Sequence, residues 1–363
     1  MERRKLQNWA YGLIVLVLGT IVLKEGSFLF VPLVWGVFFS FTLYPIANWL
    51  ELKRIPRGVA IVLSILLFTV FVVGVFYLLL NQMIGLIKEI PEIGENLKSK
   101  LGDYFEQINT LFGGGIIADN RSTEIWSYLS PENLNKTLFA TGKSLTLGGI
   151  IPLYVFLLMY YKDFFAEFLA KVSKGPSDKV LNWVGQSGYV IQSYLAGMFK
   201  VTIIVGLLAG LFFYFLGIEY FILFGAFIAI MNLIPYVGVF ISSFFAILYV
   251  FLTSDSYTEP ILTFGVLWGI QLLENNLITP LVVGSQVKVN ALAVVLAILL
   301  GGWLWGVSGM VLFIPLVGVL KLTLERTQGM EAYAYLLGDD VPVTEANENY
   351  LKILKRKLKK PKD

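Results

Sequence analysis

The chain contains no cysteine and no histidine, and only 15% of its 363 residues are charged. Without cysteine there are no disulfides, no iron–sulfur clusters and no thiol chemistry, and without histidine the haem, zinc and copper sites built on imidazole are excluded. A Ser–His intramembrane protease and an HExxH metalloprotease both need histidine, while an aspartyl intramembrane protease needs two Asp inside spans, where this chain has none. An ATP-binding P-loop is missing as well: Gly142-Lys143-Ser144 has the GKS ending, but the required upstream glycine is Thr137. No metal, no cofactor and no enzymatic activity are expected. The net charge of +3 leaves no nucleic-acid footprint. Transport, sensing or scaffolding remain.

What the chain has instead is apolar length. Apolar residues make up 57%, against about 45–50% in ordinary soluble domains, and they run in blocks long enough to count as membrane spans. The reading is an all-α polytopic membrane protein of about eight membrane segments. Residues 6–23 form a first span, because Lys24 and Glu25 follow where a signal-peptide cleavage site would need small residues. Three N-terminal transmembrane helices are expected over 1–82 and an extracytoplasmic amphipathic helical subdomain over 83–143. A fourth transmembrane helix and a cytoplasmic linker follow over 144–189. Transmembrane helix plus broken hairpin is expected twice, over 190–252 and 253–324, before a basic cytoplasmic tail over 325–363. On this layout 20 basic residues are cytoplasmic and seven lie outside, so both termini are placed inside. The tail, with Lys352, Lys355, Arg356, Lys357, Lys359, Lys360 and Lys362, is suited either to anionic membrane lipids or to a solvated face that sets topology.

The apolar run over 220–252 is too long for one span and short for two. Near its middle lies Asn232-Leu233-Ile234-Pro235-Tyr236-Val237-Gly238, where Pro235 lacks an N–H and Gly238 permits unusual backbone angles. A second long run, over 291–320, is interrupted by Gly301, Gly302, Gly306 and Gly309. Two readings stay open. These are either a pair of re-entrant hairpins entering from opposite sides, as in secondary transporters with inverted repeats, or four short complete helices packed through small residues.

Glu274 is the single carboxylate well inside an expected span, and an ionisable group in hydrocarbon is a functional candidate by default. Gln271, Glu274 and Asn275 fall at i, i+3 and i+4, so one helical face is expected to carry all three inward. The competing role for Glu274 is structural, accepting hydrogen bonds from exposed hairpin backbone. Lys200, the basic residue inside the fifth span, either neutralises Glu274, attracts an anionic substrate, or snorkels to water. Asn232, Asn275, Asn276 and Asn290 offer neutral donors and acceptors for a polyhydroxylated solute or a partly dehydrated monovalent ion. They could equally join helices.

Several of these segments, taken in order and spacing, resemble one family. Asn232 to Gly238, then Gln271-Leu272-Leu273-Glu274-Asn275-Asn276 with Pro280 and Gly284, then Gly301-Gly302 and Gly306-Val307-Ser308-Gly309 with Pro315, are similar to the autoinducer-2 exporter (AI-2E) family of bacterial transporters. Val239 and Ala291 stand where the family often has proline. The resemblance implies a homo-oligomeric, multi-pass transporter of the bacterial cytoplasmic membrane. Its activities would be export of autoinducer-2 or a related signalling solute in quorum sensing, or sodium or lithium exchange for protons. A non-transport scaffold and a channel are the readings outside that class.

Overall fold

The structure, a computed structural model, describes residues 2–112, 149–172, 177–235, 237–282 and 288–339. Residues 113–148, the last part of the expected extracytoplasmic subdomain among them, residues 283–287, Tyr236 and most of the basic tail lie outside the described residues. Helices account for the fold, and the β pairing among the described residues is one isolated bridge between Val289 and Gly338. Among the described residues, five segments are long and apolar enough to cross a membrane: Ser27–Leu52, Arg57–Leu86, Asp178–Phe215, Thr258–Val282 and Ala291–Arg326.

The first helices are α1 (Glu2–Glu25), α2 (Ser27–Leu52) and α3 (Arg57–Phe112). No break separates the third span from the polar stretch after it: α3 continues for 56 residues, about 84 Å at the helical rise. After α4 (Ile150–Tyr160) and α5 (Lys162–Val172) comes α6 (Ser177–Phe215). The span expected from about residue 190 lies within a helix that begins at Ser177, and the polar early turns of that helix have partners. Trp183 Nε1 donates to Thr323 Oγ1 at 3.1 Å, and the Arg326 guanidinium donates to Gln186 Oε1 at 2.6 Å.

Beyond α6 the chain turns back twice. Helix α7 (Phe221–Met231) and helix α8 (Val237–Thr253) are antiparallel arms around the Asn232–Pro235 break, with Gly238 N–H closing onto Ile234 O at 3.1 Å. A Cβ on Gly238 would lie 1.7 Å from Met231 O, so this turn admits no side chain there. Next come α9 (Thr258–Leu273), a π turn (Glu274–Ile278) and α10 (Thr279–Val282), which form one continuous rod. The apparent single helix α11 (Ala291–Arg326) is itself folded over. Trp305 and Gly306 leave helical geometry, Gly306 at φ 60° and ψ −142°. Gly301 and Gly309 meet backbone to backbone: a Cβ on Gly309 would lie 1.9 Å from Gly301 O. Eight residues along a straight helix would separate them by about 12 Å, so the chain has doubled back. Helix α12 (Glu331–Leu337) then packs on α11.

The two hairpins have their bases at opposite ends of α6. The first starts right after the α6 C-terminus, through Gly217 to Tyr220, and the second ends at Thr323 and Arg326 beside the α6 N-terminus. Its tip reaches α1, where Trp305 Nε1 donates to Leu23 O at 2.9 Å and Lys24 sits 4.6 Å from the Trp303 ring. The main core lies between α6, α7, α8 and α9, where Ala209, Phe213, Ala246 and Val250 are fully buried.

The glycine contacts generate a contrast. Gly309→Ala drives a methyl into backbone and should cost about 1–3 kcal/mol or more. Gly302→Ala would meet the flexible Met310 side chain, its nearest atom 2.8 Å away. Apparent melting temperature of the detergent-purified variants should fall markedly for Gly309→Ala and little for Gly302→Ala. Equal stability of the two would mean that the Gly301–Gly309 contact is absent.

Candidate functional site

Glu274 and Lys321 are the two buried charged side chains among the described residues, at 7% and 8% exposed. They differ in setting. Lys321 lies near the base of the second hairpin, 3.3 Å from the partly exposed Glu325. Glu274 follows directly on α9, about 24 Å along the rod from Thr258, where α6 packs against the π turn. Its flanking residues Ile270 and Ile278 belong to the main core.

The carboxylate is held at both oxygens. Gln271 Nε2 donates to Oε2 at 2.7 Å and the Thr279 hydroxyl donates to Oε1. Thr279 is five residues on, which in an α-helix would face elsewhere; the π turn closes i to i+5, and Thr279 N–H bonds Glu274 O. Pro280 gives the physical cause. In an α register its ring would strike the Asn276 carbonyl, and the extra residue of the wider turn relieves that clash. Asn276 Nδ2 donates to Leu272 O at 2.8 Å and covers a carbonyl there. The same widening corrects the expected three-residue face: Gln271 and Glu274 meet, whereas Asn275 is exposed. Sequence spacing missed Thr279, although the pairing of Glu274 with a proline six residues later was a usable signal.

The other expected residues are dispersed. Lys200 is exposed and has no ion pair among the described residues. The partners that the structure gives Glu274 are Gln271 and Thr279, not Lys200. Asn232 closes α7, half-buried, with its N–H on Ile228 O at 2.9 Å and its carboxamide without a hydrogen-bond partner among the described residues.

A model of the AI-2E family transporter matches residues 13–329. The chain belongs to the AI-2E transporter family. It is 26% identical over 320 residues to "Putative transport protein YrrI" of Bacillus subtilis (strain 168), covering 81% of this chain and 85% of that one. It is also 23% identical over 340 residues to "AI-2 transport protein TqsA" of Escherichia coli (strain K12), covering 90% and 95%. The helices and the family together make this a multi-pass membrane protein of the transporter class.

In this AI-2E protein Asn290 has an architectural task. Its Oδ1 accepts from Ala293 N–H at 2.9 Å, capping α11, while Nδ2 donates to Leu336 O at 2.7 Å and Gly338 O at 2.9 Å. Both ends of the carboxamide are thus committed to tying the segment after α12 to the base of the second hairpin, the joining role that stood beside the ligand reading. At the opposite end, outside the spans, Tyr220 donates to Glu89 Oε1 at 2.6 Å; that hydrogen bond, then burial, pushes its hydroxyl up to about 12. Tyr220 is therefore a neutral donor at any physiological pH and links the α3 extension to the first hairpin.

The Thr279 contact is directly testable. Thr279→Val keeps shape but strips one donor from a buried carboxylate, a change worth about 1–3 kcal/mol, whereas Thr279→Ser retains it. A fall in melting temperature for the Val variant with recovery in the Ser variant is expected; a Val variant as stable as the parent would dissolve the proposed pairing.

Proposed function

We propose that this protein is a secondary transporter of the bacterial cytoplasmic membrane that moves a small polar solute by alternating access, with proton coupling at Glu274. The observation that carries the reading is a buried carboxylate, hydrogen-bonded by two neutral side chains, on a locally widened helix inside a span. Such a group is costly to retain in hydrocarbon without a task, and π turns are frequent at functional sites. The end of the bundle bearing Lys53, Arg57, Lys162 and Arg326 would face the cytoplasm, following the placement of basic residues.

The hairpins support the transport reading. The 11-residue α7 is about 17 Å long and the 17-residue α8 about 26 Å, both short of a bilayer core of about 30 Å. A first hairpin of this length, based at the α6 C-terminus, would stop inside the membrane and provide a gate, with the second hairpin based at the opposite end of α6 as its counterpart in an inverted arrangement. The uncommitted carboxamide of Asn232 at the first tip would serve as a substrate contact. Autoinducer-2 is the leading solute because TqsA, related over nearly the full length, is named for it. A second reading is monovalent cation and proton exchange, favoured by the oxygen atoms of Glu274 and Thr279 at one point.

Glu274→Gln separates binding from coupling. In proteoliposomes offered autoinducer-2, sodium and lithium in turn, the variant should lose uptake driven by a pH gradient. It should keep exchange of solute for solute, which moves no net proton. Gradient-driven uptake equal to that of the parent would contradict proton coupling at this residue and leave Glu274 a structural acceptor.

A further inference from the structure

Helix α5 (Lys162–Val172) turns its large apolar side chains away from the protein. Phe164, Phe168 and Val172 are 63%, 54% and 61% exposed, and Phe165 is 42% exposed. The opposite side, with Ala166 and Ala170, faces a shallow concavity against Leu181 of α6, where Asp163, Glu167 and Lys171 also lie. This inverts what a water-exposed connecting helix would do, since such a helix buries its apolar stripe and shows its charges.

Two further observations say what covers that face. First, the stripe is not isolated. Leu153, Leu157, Tyr160, Tyr161, Phe164 and Phe168 follow one another at helical spacing and are all exposed, so the face of α5 continues the membrane-facing surface of α4. Second, the first turn of α5 is fixed at the level of an aromatic and cationic belt. Arg57, at the start of the third span, donates to Asp163 Oδ2 at 2.6 Å and to Met159 O at 2.7 Å. Lys162 donates to Tyr44 OH at 3.2 Å, and Lys53 lies 3.6 Å from the centre of the Trp49 ring. Such residues collect at the membrane–water interface. At about 100° per residue, Lys162 and Lys171 border the apolar arc of α5 on its two sides. The Lys171 amine lies 2.7 Å from Glu167 Oε1 in an exposed pair, and a long amine in that position can exchange to a headgroup phosphate while the aromatic rings sink.

We infer that α5 is an interfacial helix, seated with its Phe164, Phe168 and Val172 face in the headgroup–acyl boundary of a bilayer leaflet containing anionic phospholipid. It holds the start of α6, and through Arg326 and Thr323 the base of the second hairpin, at a set depth. This stands apart from the assignment of Glu274, since lipid contact at α5 needs no coupling proton.

Because the native chain has no cysteine, single cysteines report cleanly. Phe168→Cys, Val172→Cys and Glu167→Cys, each carrying an environment-sensitive fluorophore, would be reconstituted as full chains into vesicles of phosphatidylethanolamine and phosphatidylglycerol. Doxyl-labelled lipid and aqueous iodide, the latter on both sides of the membrane, serve as competing quenchers. Labels at 168 and 172 should be quenched by the lipid-borne nitroxide and shielded from iodide, and the label at 167 should behave in the opposite way. Equal iodide quenching at all three positions would place α5 in water. Shielding of 168 and 172 from both quenchers would mean that a second copy of the chain covers the face. Either result overturns the inference.

Discussion

A chain that turns back inside an apolar bundle must hide the polar backbone of the turn, since hydrocarbon offers it no hydrogen bonds. Both hairpins meet this constraint by bringing backbone onto backbone. Gly238 fits against Met231 O, and Gly301 against Gly309, at separations that no side chain tolerates. Once those contacts are made, the remaining layout follows: two folded-over helix pairs with bases at opposite ends of α6, and a rod between them that carries the buried carboxylate. The Trp305 bond to Leu23 and the Asn290 tie to residues 336 and 338 then fasten the second hairpin at its tip and at its base.

The Glu274 site depends on the same economy of backbone donors. Pro280 removes one N–H, the helix widens into a π turn, and that widening brings Thr279 over the carboxylate. Both oxygens of the carboxyl are thereby assigned to neutral partners. The membership of the chain in the AI-2E transporter family supports the transporter class, and the proposed coupling rests on the buried carboxylate.

Much of this was legible beforehand because the signals are local. Proline, glycine and the interruption of apolar runs marked the breaks at 232–238 and 301–309, and the lone carboxylate in a span marked Glu274. What escaped depends on contacts distant in sequence or on helix register. Thr279 lies outside any α-helical neighbourhood of Glu274, and Asn275 turns outward because the register shifts. For Asn290 the ligand and joining readings stayed open because its partners, some 46 residues away, have no sequence mark. The early start of α6 rests on partners in α11, near the other end of the chain.

The central claim is that the first hairpin ends inside the membrane and does not cross it. A single cysteine at Val237, exposed next to the turn, tests it with a membrane-impermeant maleimide added to one face or the other of oriented proteoliposomes. The account predicts labelling from one face in the absence of solute and from the opposite face when solute and a pH gradient drive turnover. Labelling from the cytoplasmic face alone under all conditions would show a loop between two complete spans and contradict the account.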